Sequence, residues 1–142
     1  MLIRPYRESD VDAVASLWSD CELTAPQNNP LLDIERKLKV NPEWFLVGEI
    51  EGTIIASCMA GYEGHRGWIN YLAVAPSEQR KGHAAKIMGE VERLLRDAGC
   101  PKINLQVRTT NEKVVEFYRS IGFTIDEVTS MGKRLQSDKL PR

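Results

Sequence analysis

The stretch Val74-Ala-Pro-Ser-Glu-Gln-Arg-Lys-Gly-His-Ala84 decides the fold, because it joins an apolar strand to an amphipathic helix through a basic turn that contains glycine. Aromatic and β-branched residues dominate positions 68–74, which favours a buried strand. Apolar residues then recur at helical steps as far as Ala98, and Gly99 followed by Pro101 marks a helix end. The first amides of such a helix have no internal partners, so the stretch predicts a phosphate-binding turn.

A second pattern lies downstream of this turn. A strand-like run over 102–108 is followed by Asn111 and then by Phe117-Tyr118-Arg119-Ser120-Ile121-Gly122-Phe123. A glycine in a turn with basic residues beside it is common in proteins that bind no phosphate there. The downstream pattern is therefore needed to support phosphate binding by the turn. The other nucleotide-binding motifs are missing from the sequence, since neither G-x-x-x-x-G-K-[ST] nor G-x-G-x-x-G after a strand occurs.

The two patterns together resemble the GNAT superfamily of N-acetyltransferases. Gln79-x-x-Gly82-x-Ala84 is similar to the family signature Q/R-x-x-G-x-G/A, and the segment from Asn111 to Phe123 is similar to its N-x(6)-Y-x(3)-G-F segment. The match covers roughly residues 68–123, and the predicted elements upstream occur in the family's order. The resemblance implies a short bacterial member with a single N-acetyltransferase domain over residues 1–142.

The resemblance implies an α/β (α+β) GNAT fold, in which a mixed, mostly antiparallel sheet is covered by helices. Its central strands, here 68–74 and 102–108, would splay apart and receive the pantetheine arm of acetyl-CoA, whose amides pair with exposed strand groups. The residues implied to bind the acyl donor are Leu72, Ala73, Val74, Gln79, Arg80, Lys81, Gly82, His83, Ala84, Asn111 and Tyr118.

The implied reaction is transfer of an acetyl group from acetyl-CoA to a primary amine of a small molecule or peptide, by direct attack in a ternary complex. In the family the tyrosine that matches Tyr118 faces the cofactor sulfur, so Tyr118 is a predicted catalytic acid for the leaving thiolate. The amine, with a pKa near ~10, must first lose a proton to a base or through water.

The sequence does not decide which residue is the general base. Some peptide-acetylating members carry a glutamate at the position that matches Gln106, and an amide cannot accept the proton. Glu63 and His65, in the loop Glu63-Gly64-His65-Arg66-Gly67, are the predicted catalytic pair, with Glu49 and Glu22 as further candidates. The alternative is that this loop is a solvated connection whose glycines serve positive φ angles.

The acceptor amine is predicted to bind between two loops beside the mouth of the splayed strands. One is the loop just described, and the other is the polar loop after the first helix. The residues predicted to contact the acceptor are Glu22, Asn28, Glu63 and His65. A different class of function, a non-catalytic module that binds or senses acetyl-CoA, is the alternative; Tyr118 favours the enzyme, since a pure binder needs no acid opposite the sulfur.

Composition limits the partners. The chain has 142 residues and a formal net charge of −1, and its pI near 6.1 gives no electrostatic case for nucleic acid or an anionic membrane. No stretch approaches the ~18 apolar residues of a membrane span, and the N-terminus lacks the apolar core of a signal peptide, so a cytoplasmic location is expected. Family members often form homodimers, which is a possibility here.

Three cysteines, Cys21, Cys58 and Cys100, are far apart in the sequence. They show neither paired metal-ligand spacing nor an even disulfide set, so reduced thiols and no metal are expected. Cys58 and Cys100 are interpreted as small buried hydrophobes, and the role of Cys21 stays open.

Periodicity predicts the remaining elements. Strands are expected over 2–6, 44–50 and 53–62, the last two as a hairpin across Glu51-Gly52. A capping box at Ser9-x-x-Asp12 is expected to open the first helix, and a second helix is expected over 33–40. One or two further strands are predicted between 128 and 135, and a frayed end over 136–142.

Overall fold

The sheet has five strands in the order β1-β2-β3-β4-β5. The computed structural model describes residues 1–25 and 28–138. The strands are β1 Leu2–Pro5, β2 Phe45–Ile50, β3 Thr53–Tyr62, β4 Gly67–Val74 and β5 Ile103–Asn104. Neighbours from β1 to β4 are antiparallel and β5 is parallel to β4, which confirms the expected mixed, mostly antiparallel sheet.

In the described part of the chain, four α-helices cover the two faces of this sheet. They are α1 Val11–Asp20, α2 Pro30–Lys37, α3 His83–Asp97 and α4 Glu112–Ser120. One buried apolar cluster contains Ile87, Met88, Val91 and Leu95 of α3 with Tyr118 of α4. The second contains Val14, Leu17 and Trp18 of α1 with Ile34 of α2. Within the described residues, none of the helices combines the length and the apolar character needed to cross a bilayer.

Local sequence signals placed the hairpin and the long helix correctly. The β2–β3 turn has Glu51 at φ 50° and Gly52 at φ 79°, the left-handed pair that a two-residue hairpin turn needs. Helix α3 ends at Asp97, and Gly99 follows at φ 85° as the predicted stop.

Strand β4 carries a bulge at Tyr71, which adopts φ 53° where the register with β3 shifts between Ser57 and Met59. A buried relay fixes the bulge: the Trp18 indole N–H donates to Ser57 Oγ at 2.8 Å, and that hydroxyl donates to the Tyr71 carbonyl at 2.8 Å. A bulge of this kind redirects the strand and the side chains that follow it.

Strands β4 and β5 pair over only two residue pairs, Gly67 with Ile103 and Trp68 with Asn104. The predicted strand over 102–108 is therefore too long, because β5 ends at Asn104 while β4 continues to Val74. Beyond this point the two strands no longer form a ladder. This short ladder supports the prediction that the two central strands, β4 and β5, separate after Trp68 and Asn104.

Two helix starts differ from the predictions. Asp10, and not Ser9, is the N-cap of α1; the Asp10 carboxylate instead accepts from the amide of Arg7 at 2.8 Å. Helix α2 begins at Pro30, earlier than predicted, because the Asn29 side chain caps it by accepting from the Leu32 amide at 3.2 Å, and it ends at Lys37. A proline at the first helical position needs no donor and suits this start.

The segment after α4, residues 121–138, is here named the tail. The prediction of strands between 128 and 135 is wrong, since no strand is formed in the tail as far as it is described. It makes side-chain contacts instead: Lys102 Nζ lies 2.8 Å from Asp126 Oδ2, and the Gln106 amide donates to the Ser130 hydroxyl. With β5 only two residues long, the tail has no extended edge to pair with.

The predicted frayed end from 136 is wrong as far as Asp138. The Asp138 side chain is buried and its carboxylate is paired with Arg36 of α2. Residues 139–142 lie outside the described residues.

Candidate active site

The turn between β4 and α3 has an unusual backbone. After a short 3-10 helix over Pro76–Glu78, Arg80 adopts φ 64° and Gly82 adopts φ 85° as the N-cap of α3. No side chain caps the helix, and its first bond runs from the Lys86 amide to the Gly82 carbonyl at 3.1 Å. A side chain added at Gly82 would meet nothing within 4 Å, so open space lies beside unpartnered amides, which suits an anion.

The side chains of the turn are partly committed to the protein itself. Gln79 Nε2 donates to the Val74 carbonyl at 2.9 Å, and Cys21 Sγ donates to the same oxygen at 3.2 Å. The Val74 carbonyl therefore has both of its acceptor positions engaged, and contact between Val74 and the acyl donor stays a prediction. Leu72 and Ala73 remain on the part of β4 that β5 does not cover.

Glu78 pairs with two basic residues of the turn, which the sequence interpretation did not predict. Its carboxylate lies 3.1 Å from Lys81 Nζ and 3.5 Å from His83 Nε2, and the bond from Lys81 lowers the pKa of Glu78 below its ordinary value. Among the described residues, the buried Nδ1 of His83 has no hydrogen-bond partner. Arg80, Lys81 and His83 thus line the turn, with one carboxylate placed against two of them.

Tyr118 lies on α4 with 9% of its surface exposed. Its ring packs edge-on against Phe123, with the centroids 5.4 Å apart, and against Phe117 at 5.2 Å. Burial, with a smaller contribution from the nearby Cys58 thiol, raises the pKa of Tyr118 above the ordinary tyrosine value. The hydroxyl is therefore protonated at neutral pH and able to donate.

Asn111 has a structural role that accounts for its position. It is the N-cap of α4, and its side-chain oxygen accepts from the Val114 amide at 3.4 Å. Contact between Asn111 and the acyl donor stays a prediction.

The loop before β4 is held by its own carboxylate. Glu63 Oε1 accepts from the His65 amide at 3.0 Å and from the Arg66 amide at 2.5 Å; Glu63 and His65 are exposed and Arg66 is half-buried. This loop leads into Gly67, at the end of β4 that pairs with β5. The alternative base Glu49 is engaged elsewhere, since its carboxylate lies 3.1 Å from Arg4 Nη2.

Glu22 and Asn28 lie on the other side of the predicted acceptor pocket, in the loop after α1. The neighbouring Cys21 contacts the Val74 carbonyl, so this loop begins near the far end of β4. Strand β4 has eight residues, and at a rise of ~3.3 Å per residue its ends are about 23 Å apart. The loop after α1 thus begins near the Val74 end of β4, whereas the loop of Glu63 and His65 leads into its Gly67 end; a shared acceptor pocket stays a prediction.

The three cysteines are unpaired. Cys58 is fully buried in β3, and burial raises the pKa of its thiol to about 12. Burial also raises the pKa of Cys21 above the ordinary thiol value. Neither environment favours a thiolate nucleophile.

Comparison with known proteins places this arrangement in a family. The model of the acetyltransferase (GNAT) family matches residues 7–123. The chain belongs to the acetyltransferase (GNAT) family. A protein named acetyltransferase from Yersinia pestis (strain Pestoides F) is 42% identical over 139 residues, which span 98% of this chain and 99% of that protein. An acetyltransferase from Sodalis glossinidius is 43% identical over 140 residues, with the same shares covered.

Solved structures of similar shape support the GNAT fold. Ard1 from Thermoplasma volcanium has a TM-score of 0.77 at 23% identity, covering 88% of this chain and 83% of its own. The aminoglycoside acetyltransferase AAC(6')-Iy, solved with a bisubstrate analogue built on CoA, has a TM-score of 0.76 at 19% identity, covering 94% of this chain and 97% of its own. At these low sequence identities the structural similarity shows a shared fold and nothing more.

Proposed function

We propose that this protein is an N-acetyltransferase that moves an acetyl group from acetyl-CoA to a primary amine of a small molecule or peptide in a ternary complex. The observation that carries the proposal is the parting of β4 from β5 after Trp68 and Asn104, with the open N-terminus of α3 following the unpaired end of β4. An extended ligand with amides can then add to the uncovered edge of β4 while its phosphates reach the helix.

The turn fits a pyrophosphate in shape and charge. Gly82 leaves open space beside its backbone, and the amides at the start of α3 have no side-chain cap. Arg80 adds positive charge at the surface of the same turn, and Lys81 adds a cation that is paired with Glu78 at 3.1 Å. The CoA complexes of AAC(6')-Iy, a protein of the same fold, support a CoA thioester as the donor for this chain as well.

The chemistry needs one nucleophile, one acid and one base. The nitrogen lone pair of the amine attacks the thioester carbon, a C–N bond forms, and the C–S bond breaks as coenzyme A leaves. Tyr118, whose pKa is raised by burial, supplies a proton or hydrogen bond to the departing sulfur. The surplus proton on nitrogen passes to a base. Most of the remaining acceleration comes from holding the amine and thioester in attacking geometry.

We assign the base to the loop before β4, with Glu63 and His65 as the candidates. Gln106 cannot accept a proton, and its amide is bonded to Ser130. Glu49 is committed to Arg4. Glu63 is committed to two amides of its own loop, which leaves the exposed imidazole of His65 as the group most able to take a proton through water.

An amine panel with acetyl-CoA, read by the release of free thiol, tests the proposal. At least one amine should give thiol release that depends on both substrates and is lost in Gly82→Arg. Acetyl-CoA binding without turnover for any amine would favour the alternative, a module that binds or senses acetyl-CoA; the use of Gln106 where some family members have glutamate is the observation in its favour.

A further inference from the structure

The tail and helix α2 border a cavity of about 590 Å³ that is widely open to solvent. Arg36 of α2 lines one side, and tail residues 132–136 together with Asp138 line the other. The charged side chains of the lining are those of Arg36, Lys133, Arg134 and Asp138, three cations and one carboxylate.

Arg36 already holds a carboxylate in this cavity. Its Nη1 lies 2.7 Å from Asp138 Oδ2 and its Nη2 lies 2.9 Å from Asp138 Oδ1, the two-pronged geometry by which arginine recognises a carboxylate. The Asp138 side chain is only 5% exposed, whereas the Arg36 side chain is 42% exposed and can be reached from solvent. The hydrogen bonds from Arg36 lower the pKa of Asp138, so the carboxylate is ionised at neutral pH.

The three cations outnumber the two carboxylates that face them. Asp33 Oδ1 lies 3.4 Å from Arg36 Nη1, and Arg134 Nη1 approaches Asp138 only at 3.5 Å. Lys133 forms no ion pair with any residue in the described ranges 1–25 and 28–138. The chain as a whole has a net charge of −1, so this concentration of cations is local to the cavity. Such a cavity attracts anions.

The cavity is connected to the strand proposed to hold acetyl-CoA. Asp33 Oδ1 lies 3.4 Å from Arg36 Nη1, and its second oxygen accepts from the Tyr71 hydroxyl at 2.6 Å. Tyr71 sits at the bulge of β4, directly before Leu72. Two contacts thus link the Arg36 guanidinium to strand β4, on the face of the sheet that α1 and α2 cover.

We propose that this cavity binds a carboxylate carried by the amine acceptor, and that Asp138 occupies the place of that carboxylate in the free protein. The incoming group would displace Asp138 from Arg36 and take over the two N–H donors, while Lys133 and Arg134 add attraction. The acceptor is then an amine with a carboxylate at its other end. The identification of the ligand as an acceptor rests on the proposed acetyl transfer, whereas the carboxylate site itself does not.

Succinate tests the site without any turnover. An NMR titration follows the backbone amides of residues 132–136 in the wild type, Arg36→Gln, Asp138→Asn and the control Arg119→Gln; Arg119 is similarly exposed, at 53%, and pairs with Glu116 at 3.5 Å. Succinate should give saturable shifts that disappear in Arg36→Gln, stay in Arg119→Gln and occur at about 10-fold lower concentration in Asp138→Asn, where the internal competitor is gone. Succinamide should give none.

Several outcomes would overturn the site. These are the absence of saturable shifts in both the wild type and Asp138→Asn, equal shifts in Arg36→Gln, and loss of binding in Asp138→Asn as complete as in Arg36→Gln. The last result would mean that the pair only fastens the tail. Saturation by inorganic phosphate with none by succinate would contradict the choice of a carboxylate.

Kinetics separates this inference from the proposed function. Among amines that support thiol release, those with a carboxylate should have a lower KM than their matched carboxamides, and Arg36→Gln should reduce that preference by about 10-fold with kcat retained. Equal use of acids and amides would overturn the acceptor role. Succinate binding in a protein that acetylates no amine would contradict the proposed function and leave the carboxylate site standing.

Discussion

Tyr71 in strand β4 donates its hydroxyl proton to Oδ2 of Asp33 in helix α2, with the two oxygens 2.6 Å apart. The same ring stacks on Trp18, with the centroids 3.9 Å apart. Since Tyr71 is a non-glycine residue at φ 53°, these contacts hold a backbone conformation that a side chain otherwise disfavours. The bulge of β4 is therefore secured by side chains from both α1 and α2.

Removing this hydroxyl should destabilise the protein. Tyr71→Phe keeps the stacked ring and deletes a hydrogen bond to a carboxylate, so the free energy of unfolding should fall by about 1.5–3 kcal/mol. Urea unfolding measures the change. Tyr62→Phe is the control, because the Tyr62 hydroxyl contacts only backbone carbonyls at 3.2 and 3.4 Å near the surface. Equal decreases in the free energy of unfolding in the two variants would show that the bond to Asp33 contributes no more than the weak contacts of Tyr62.

Filling the space at Gly82 should abolish binding of acetyl-CoA. A donor present at roughly 100 times its Kd stabilises the wild type by about 2.7 kcal/mol, which appears as a rise in Tm. Gly82→Arg should remain folded but lose this rise. Gly82→Ala shares the backbone strain of a side chain at φ 85° and adds little volume, so it should keep more of the rise than Gly82→Arg. A full rise in folded Gly82→Arg would refute the phosphate site.

The Tyr118 hydroxyl should matter for turnover and not for donor binding. Tyr118→Phe should bind acetyl-CoA as the wild type does, while kcat falls by about 10-fold or more, because only the leaving sulfur loses its donor. Since the pKa of Tyr118 is raised, no ionisation of this tyrosine should lower kcat below pH ~10. Calorimetry and thiol release measure the two quantities. An unchanged kcat would exclude Tyr118 as the acid.

The two predicted acceptor loops can be distinguished by kinetics. If His65 is the base, the lower limb of the pH profile of kcat/KM should shift or vanish in His65→Ala, because the variant lacks the group that accepts the proton. Glu63→Gln should raise KM if Glu63 binds the ammonium group. Glu22→Gln and Asn28→Ala, in the loop after α1, are the comparison variants for the second loop. Changes confined to these two variants would place the acceptor beside the loop after α1.

Sequence patterns located the parts of the fold that depend on neighbouring residues. Helix α3 is bounded by Gly82 and Gly99, and the β2–β3 hairpin turns at Glu51-Gly52; each has a residue with positive φ that glycine or a tight turn explains. The turn between β4 and α3, with Gly82 at φ 85°, belongs to the same class of local signal. These features were predictable because a few consecutive residues determine their backbone conformation.

Features that depend on distant partners were not predictable. Strand β5 is short because β4 diverges from it, which no property of residues 105–108 reveals. Arg36 and Asp138, 102 positions apart, meet only once the tail returns to α2. The bulge at Tyr71 depends on a buried Ser57 from the neighbouring strand. The local geometry of the turn between β4 and α3 was therefore better predicted than the contacts between distant segments.

A last prediction concerns the acid limit of stability, which depends on a carboxylate buried beside β1. Asp10 accepts from Arg4 Nη1 and Nη2 at 2.8 and 2.9 Å and from the Arg7 amide at 2.8 Å. The bonds from Arg4 lower the pKa of Asp10 below its ordinary value of 3.8, against the opposing effect of burial. Because the folded-state pKa is depressed, the stabilisation is present above pH ~4 and is lost as the pH falls through the folded value.

Asp10→Asn should therefore lower the free energy of unfolding by about 1.5–3 kcal/mol at neutral pH, as expected for hydrogen bonds to a charged group. This deficit should shrink below pH ~4, because the wild type then loses the same charge. Urea unfolding of both proteins across this range measures it. Asp97→Asn is the control, since Asp97 is 68% exposed and its pair with Arg93 at 3.1 Å should contribute little. A deficit that stays constant as the pH falls would show that the ionised carboxylate is not what stabilises the fold.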